Sequence, residues 1–132
     1  MRNSVLDSSA VLAFLHQERG YVAVPDLLAR AEQTRRRIFV SVTNWAEVRY
    51  RMEQRSGKAG WEVARRKLLA CPLEIVPADQ SVAELAGEIK VTRKMSLADC
   101  FAAALAKQRN ADLYTGDPEF RAIEKGIRIA WL

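Results

Sequence analysis

The sequence predicts an α/β domain built on a central, mostly parallel sheet of four to five strands. Short β-branched or apolar runs alternate along the chain with segments of helical period, the pattern of strands joined by helical crossovers. Polar or turn-forming residues punctuate each junction. No internal repeat, low-complexity run or linker divides the 132 residues, so a single domain over 1–132 is expected.

Taken in order, Ser4–Val5–Leu6 reads as the first strand and Ala10–Leu15 as a helix capped by Asp7 or a serine and ended by Gly20. Pro25 and Asp26 open a second helix through Leu27, Leu28 and Ala31, running out in Arg35–Arg36–Arg37, where cations oppose the negative helix end. Ile38–Val42 is β-branched and aromatic, a second strand. Thr43–Asn44 breaks it, and Trp45, Val48 and Met52 mark the apolar stripe of a helix with Asn44 as cap and Glu47 three residues on. Trp45 is assigned to the core. Ser56–Gly60 is a loop, followed by a helical face on Trp61, Ala64 and Leu68.

Leu73–Val76 is the third strand and Ala78–Lys90 the next helix, with Asp79 as cap. A basic loop, Val91–Lys94, leads into the helix of Leu97–Ala106. There Leu97, Phe101 and Leu105 form a stripe, with Ala102, Ala103 and Ala106 beside it to allow close approach. Ser96 caps that helix, Asp99 is the third residue of a capping box, and Asn110 ends it. Ala111–Thr115 is a fourth strand, Asp117–Pro118 starts a short helix, and Ile127–Trp131 is a last strand.

Composition narrows the classes of function. Hydrophobic residues at 49% and charged residues at 28% describe a soluble globular protein. No apolar run approaches the roughly 20 residues of a membrane span, and Met1–Ser4 leads into structure, not a signal peptide. Cys71 and Cys100 are too few for a disulfide scaffold or thiolate zinc site, so a reducing cytoplasm is expected. A single histidine, His16, excludes a histidine metal cluster and argues against a Ser–His–Asp triad. The net charge of +5 favours polyanionic partners, nucleic acid first.

Four acids draw attention in this basic chain. Asp7 follows the first strand, and Glu47 lies in the first turn after the second. Asp99 opens the helix that returns to the fourth strand, and Asp117 follows that strand. In a parallel sheet all four fall at the carboxyl edge, where open α/β folds bind ligands. Each could be a helix cap, but serine, threonine or asparagine would cap without mutual repulsion. Four converging carboxylates suit Mg²⁺ or Mn²⁺, which take oxygen ligands and serve phosphodiester cleavage. Asp112 falls at the opposite edge, and Glu119 is read as complementing a helix dipole.

Leu6–Ala10, Ser41–Val48, Leu97–Ala106 and Leu113–Phe120 together resemble the four acidic motifs of the PIN domain, nearest to the VapC-type toxins of toxin–antitoxin pairs. The resemblance spans essentially the whole chain. It implies a three-layer α/β/α fold and a Mg²⁺- or Mn²⁺-dependent endoribonuclease with Asp7, Glu47, Asp99 and Asp117 as acidic quartet. It also implies Thr115 and Ser8 as supporting polar residues, an RNA substrate, a cognate antitoxin that occludes the site, and a homodimer. The alternative is a catalytically silent RNA- or protein-binding module with the same fold. A phosphotransfer enzyme of haloacid-dehalogenase type would need a second Asp where Ser9 stands, and a receiver needs adjacent acids that Asp7–Ser8 lacks.

Overall fold

In the computed structural model, which describes residues 1–19 and 22–132, five strands form one parallel sheet. They are β1 (Ser4–Leu6), β2 (Ile38–Ser41), β3 (Leu73–Val76), β4 (Asp112–Thr115) and β5 (Ile129–Trp131), in spatial order β3-β2-β1-β4-β5. Chain order runs outward from β1 through β2 to β3, then jumps back to β4 on the other side of β1. The order therefore reverses between β1 and β4, and such a switch point leaves a crevice at the strands' carboxyl ends.

Five helices cover the sheet: α1 (Ser8–His16), α2 (Ala23–Gln33), α3 (Val42–Leu69), α4 (Gln80–Thr92) and α5 (Leu97–Gln108). A 3-10 helix, Pro118–Ile123, joins β4 to β5. Alternation along each strand divides the interior in two. Leu6, Ile38 and Val40 pack with Ala10, Val11, Val24, Leu27, Trp61 and Leu68. Val5 and Leu113 face the other way, onto α4, α5, Phe120 and Ile123. The result is the three-layer α/β/α arrangement with helices on both faces. Among the described residues no helix is long and apolar enough to cross a membrane.

The inward face of α5 differs from its apolar stripe. Leu97 is 54% exposed, whereas Ala102, Ala103, Ala104 and Ala106 are at most 1% exposed. Alanines let α4 and the sheet close onto the helix axis; of the Leu97–Phe101–Leu105 row, Leu105 is buried in the same core and Phe101 packs against it, while Leu97 points out.

Other expectations shift at the junctions. Ser41, the last residue of β2, caps α3 by accepting from the Thr43 N–H at 3.2 Å. The strand therefore stops one residue short of Val42, and Asn44 is fully buried inside the helix instead of capping it. The Ser56–Gly60 loop is also absent: α3 runs through it, interrupted at Gly57 (φ 70°, ψ −179°). That backbone lies in a region reserved for glycine, so one residue accomplishes the change of direction assigned to five. Gly60 allows the tight fit beyond it, since a Cβ there would fall 2.3 Å from Ser56 Cβ.

α2 begins at Ala23, with Pro25 inside its first turn. The end assigned to Gly20 lies outside the described residues. α4 takes in Val91 and Thr92 from the expected basic loop, and Asp79 caps it as the sequence suggests, accepting from Val82 N–H at 2.9 Å. α5 ends at Gln108, and Asn110 beyond it adopts a left-handed conformation (φ 48°). The arginine triplet is partly structural. Arg36 donates to the Met1 carbonyl and the Asn3 side chain, and Arg37 to the Leu73 carbonyl. Those two cations tie the amino edge of the sheet together.

Candidate active site

Asp7 leaves β1 in extended conformation and caps α1, Oδ1 accepting from the Ala10 N–H at 2.8 Å. The same oxygen accepts from Ser9 Oγ at 2.7 Å, and Oδ2 accepts from Thr115 Oγ1 at 2.5 Å. Thr115 ends β4, which pairs with β1 in register Leu6↔Tyr114. The carboxylate is therefore clamped at the switch point by groups from both strand ends. Asp7 is only 1% exposed, and burial pushes its pKa to about 6 against the lowering effect of those hydrogen bonds.

Asp99 sits in the first turn of α5. Its N–H donates to Ser96 Oγ at 3.2 Å, which is half of the expected capping box. The reciprocal half is supplied from elsewhere: the Ser96 N–H donates to Glu119 Oε2 at 3.3 Å. The Asp99 carboxylate is thereby released from capping. The residue is 6% exposed, and its Oδ2 is buried without a hydrogen-bond partner. Burial first, then the Asp117 charge, the Glu119 carboxyl and Asp7, raise its pKa to about 8.

Asp117 completes the edge. Its N–H donates to Thr115 Oγ1 at 2.9 Å, and its Oδ1 caps the 3-10 helix through the Glu119 N–H at 2.9 Å. Pro118 stands at the first helical position, as the Asp–Pro pair suggests. Candidate ligand oxygens of Asp99, Asp117 and Glu119 all lie within 4.8 Å of one another. An all-oxygen donor set around a buried, unpartnered carboxylate oxygen fits a hard divalent cation, the environment in which that oxygen would be satisfied.

Glu47 stands differently. Because α3 starts at Val42, it falls in the second turn and takes no part in a capping box. Both of its carboxylate oxygens are engaged, Oε1 by Ser8 Oγ at 2.5 Å and Oε2 by Arg51 Nε at 2.9 Å. Ser8 in turn accepts from Asn44 Nδ2 at 2.8 Å, and Asn44 also reaches the Ala98 carbonyl of α5 at 3.4 Å. Buried Asn44 thus links the starts of α1, α3 and α5, and through Ser8 connects Glu47 to the residue following Asp7.

The structure therefore brings Asp99 and Asp117 together, with Asp7 close enough to raise the Asp99 pKa, and ties Glu47 to this edge through Ser8. Thr115 contacts Asp7 directly, whereas Ser8 serves Glu47; Ser9 is the serine that holds Asp7. Glu119, assigned from sequence to a helix dipole, belongs to the acid cluster. Its signal was its position two residues after Asp117, where a tight turn returns the side chain toward the same edge. Asp112 is at the far edge, paired with Arg2 at 2.8 Å and Arg128 at 3.4 Å. Trp45 packs edge-on against Trp61, ring centres 5.3 Å apart, in the helical core.

Comparison with known families settles the kinship of this fold. The family model for the PIN domain matches residues 4–126. The chain belongs to the PIN domain family. No curated protein matches it by sequence. Among solved structures, this PIN domain is similar to VapBC2 from Rickettsia felis, bound there to a promoter DNA fragment. That match has TM-score 0.77 and 20% identity over 98% of each chain. It is also similar to VapC20 of Mycobacterium tuberculosis, a sarcin–ricin loop cleaving toxin, with TM-score 0.69 and 17% identity over 91% of this chain and 94% of that one. FitAcB from Neisseria gonorrhoeae matches with TM-score 0.69 and 21% identity over 96% and 95%. At such identities the likeness is one of fold.

Proposed function

We propose that this PIN domain is a divalent-metal-dependent endoribonuclease acting as the toxin of a type II toxin–antitoxin pair. The observation that carries the proposal is the acid cluster at the β1/β4 switch point, where half-buried Asp117 and exposed Glu119 meet buried Asp99, whose Oδ2 has no hydrogen-bond partner. Asp7, Glu47, Asp99 and Asp117 are the proposed acidic quartet, with Mg²⁺ or Mn²⁺ as cofactor and Ser8 and Thr115 in support. Kinship with the PIN family and similarity of fold to VapBC complexes and to an RNA-cleaving toxin support it.

Each residue has a task set by its surroundings. Asp7 is held by Ser9, Thr115 and the Ala10 N–H, so its carboxylate meets a ligand in one orientation. Asp99 and Asp117 approach from two different elements, and together with Asp7 they would hold the cation against the mouth of the crevice. Glu47, balanced by Arg51, stands at the α3 side of the same edge. A divalent cation held by these acids would supply electrophilic stabilisation of phosphate charge and activation of water. The net charge of +5 favours the approach of a polyanion.

The biological context we propose is cytoplasmic: an RNA substrate, a cognate antitoxin that covers the acids, and a homodimer. Expression of the chain in growing cells tests the toxin role. Growth arrest that Asp7→Asn abolishes supports it; undisturbed growth with abundant folded protein removes it.

A further inference from the structure

We infer that Glu119 is a direct ligand of the divalent cation, alongside Asp99 and Asp117, in addition to the quartet read from the sequence. The inference rests on the metal-dependent function proposed above and adds a residue to that site. Three observations point to it. Glu119 offers a carboxylate oxygen within 4.8 Å of those of Asp99 and Asp117, whereas Glu47 is not in that group. Glu119 is held lightly: one oxygen accepts from the Ser96 N–H at 3.3 Å, and the carboxyl lies against that of Asp99. Glu47 has both oxygens occupied, by Ser8 and Arg51, and would have to surrender one of them to enter a coordination sphere.

The independent sign of a ligand is Asp99. Its Oδ2 is buried with no partner on a residue 6% exposed, and it belongs to the same carboxylate group. A buried carboxylate with one oxygen unpartnered and two further acids within 4.8 Å is costly unless a cation or a proton joins them. Glu119 is placed there by short-range chemistry. Asp117 caps the 3-10 helix, Pro118 fixes its first turn, and Glu119 then reaches across to the start of α5.

The test is Mn²⁺ binding to the purified protein, followed by titration calorimetry and by loss of the free-ion electron paramagnetic resonance signal. Glu119→Gln keeps a carbonyl oxygen for the Ser96 N–H and removes only the charge. Glu84→Gln, on the exposed side of α4, controls for the loss of one negative charge anywhere. Glu119→Gln should raise the Mn²⁺ Kd by roughly tenfold or more, the scale on which partners of a metal site set affinity. Glu84→Gln and Glu47→Gln should raise it less. Circular dichroism confirms that each variant is folded. Wild-type affinity in Glu119→Gln would overturn the inference while leaving the metal-dependent function standing. A folded wild-type protein that binds no Mn²⁺ would overturn both.

Discussion

Thr115 and Asp7 are joined hydroxyl to carboxylate at 2.5 Å, across the ends of two neighbouring parallel strands. Thr115 is fully buried, and its hydroxyl also accepts from the Asp117 N–H at 2.9 Å, so one side chain positions two of the acids. Thr115→Val keeps the shape and strands both partners. It should cost about 1.5–3 kcal/mol in urea unfolding at unchanged m-value, the range for hydrogen bonds to charged groups. Thr115→Ser should recover most of that loss. A valine variant as stable as wild type would mean that the bond does not hold Asp7.

The acid cluster makes stability depend on pH. Asp7 and Asp99 have folded-state pKa values raised from 3.8 to about 6 and about 8. Over that interval the folded state binds more protons than the unfolded chain, so stability falls as pH rises. The two acids should therefore make the metal-free protein melt highest near pH 4 and lose stability progressively through pH 8. Asp99→Asn, which cannot ionise, should lack the part of this fall that Asp99 contributes, so its stability relative to wild type should grow steadily from pH 4 to pH 8. Thermal melts in chelator across that range are the check; a wild-type Tm that rises from pH 5 to pH 9 would contradict it.

Divalent cations should reverse this trend, because binding requires the deprotonated carboxylates and releases their protons. The Tm increase produced by Mn²⁺ should be larger at pH 8 than at pH 6. Equal increments at the two values would place binding away from Asp7 and Asp99.

Gly57 holds α3 in two segments at φ 70° and ψ −179°. A Cβ there meets no atom within 4 Å, so Gly57→Ala is a test of backbone strain alone. A destabilisation of about 1–3 kcal/mol is expected from occupying a glycine-only region. An unchanged urea midpoint would mean that the segments straighten without cost.

The sheet and its edge were legible because strand-to-helix alternation leaves few parallel topologies, and these put Asp7, Asp99 and Asp117 on one side. Boundaries were less legible where two residues could perform one task. Ser41 and Asn44 both suit a cap, and only packing decides that Asn44 is needed inside to join Ser8 with Ala98. Ser96–Asp99 reads locally as a complete capping box, but Glu119, from a distant part of the chain, takes half of it and frees Asp99. Glu47 shows the same limit. The sequence places it at the right edge, whereas its pairing with Arg51 one turn along α3 depends on where that helix begins.

Cleavage of RNA by the purified protein tests the central claim most directly. With Mn²⁺ present, wild-type protein should convert cellular RNA into discrete fragments, and excess chelator should stop it. Asp7→Asn and Asp99→Asn, folded by circular dichroism, should each lose about 10²-fold or more of the rate, the scale of removing one electrostatic stabiliser. Cleavage that survives both chelator and the two substitutions, or no cleavage of any RNA by metal-loaded wild type, would contradict the account.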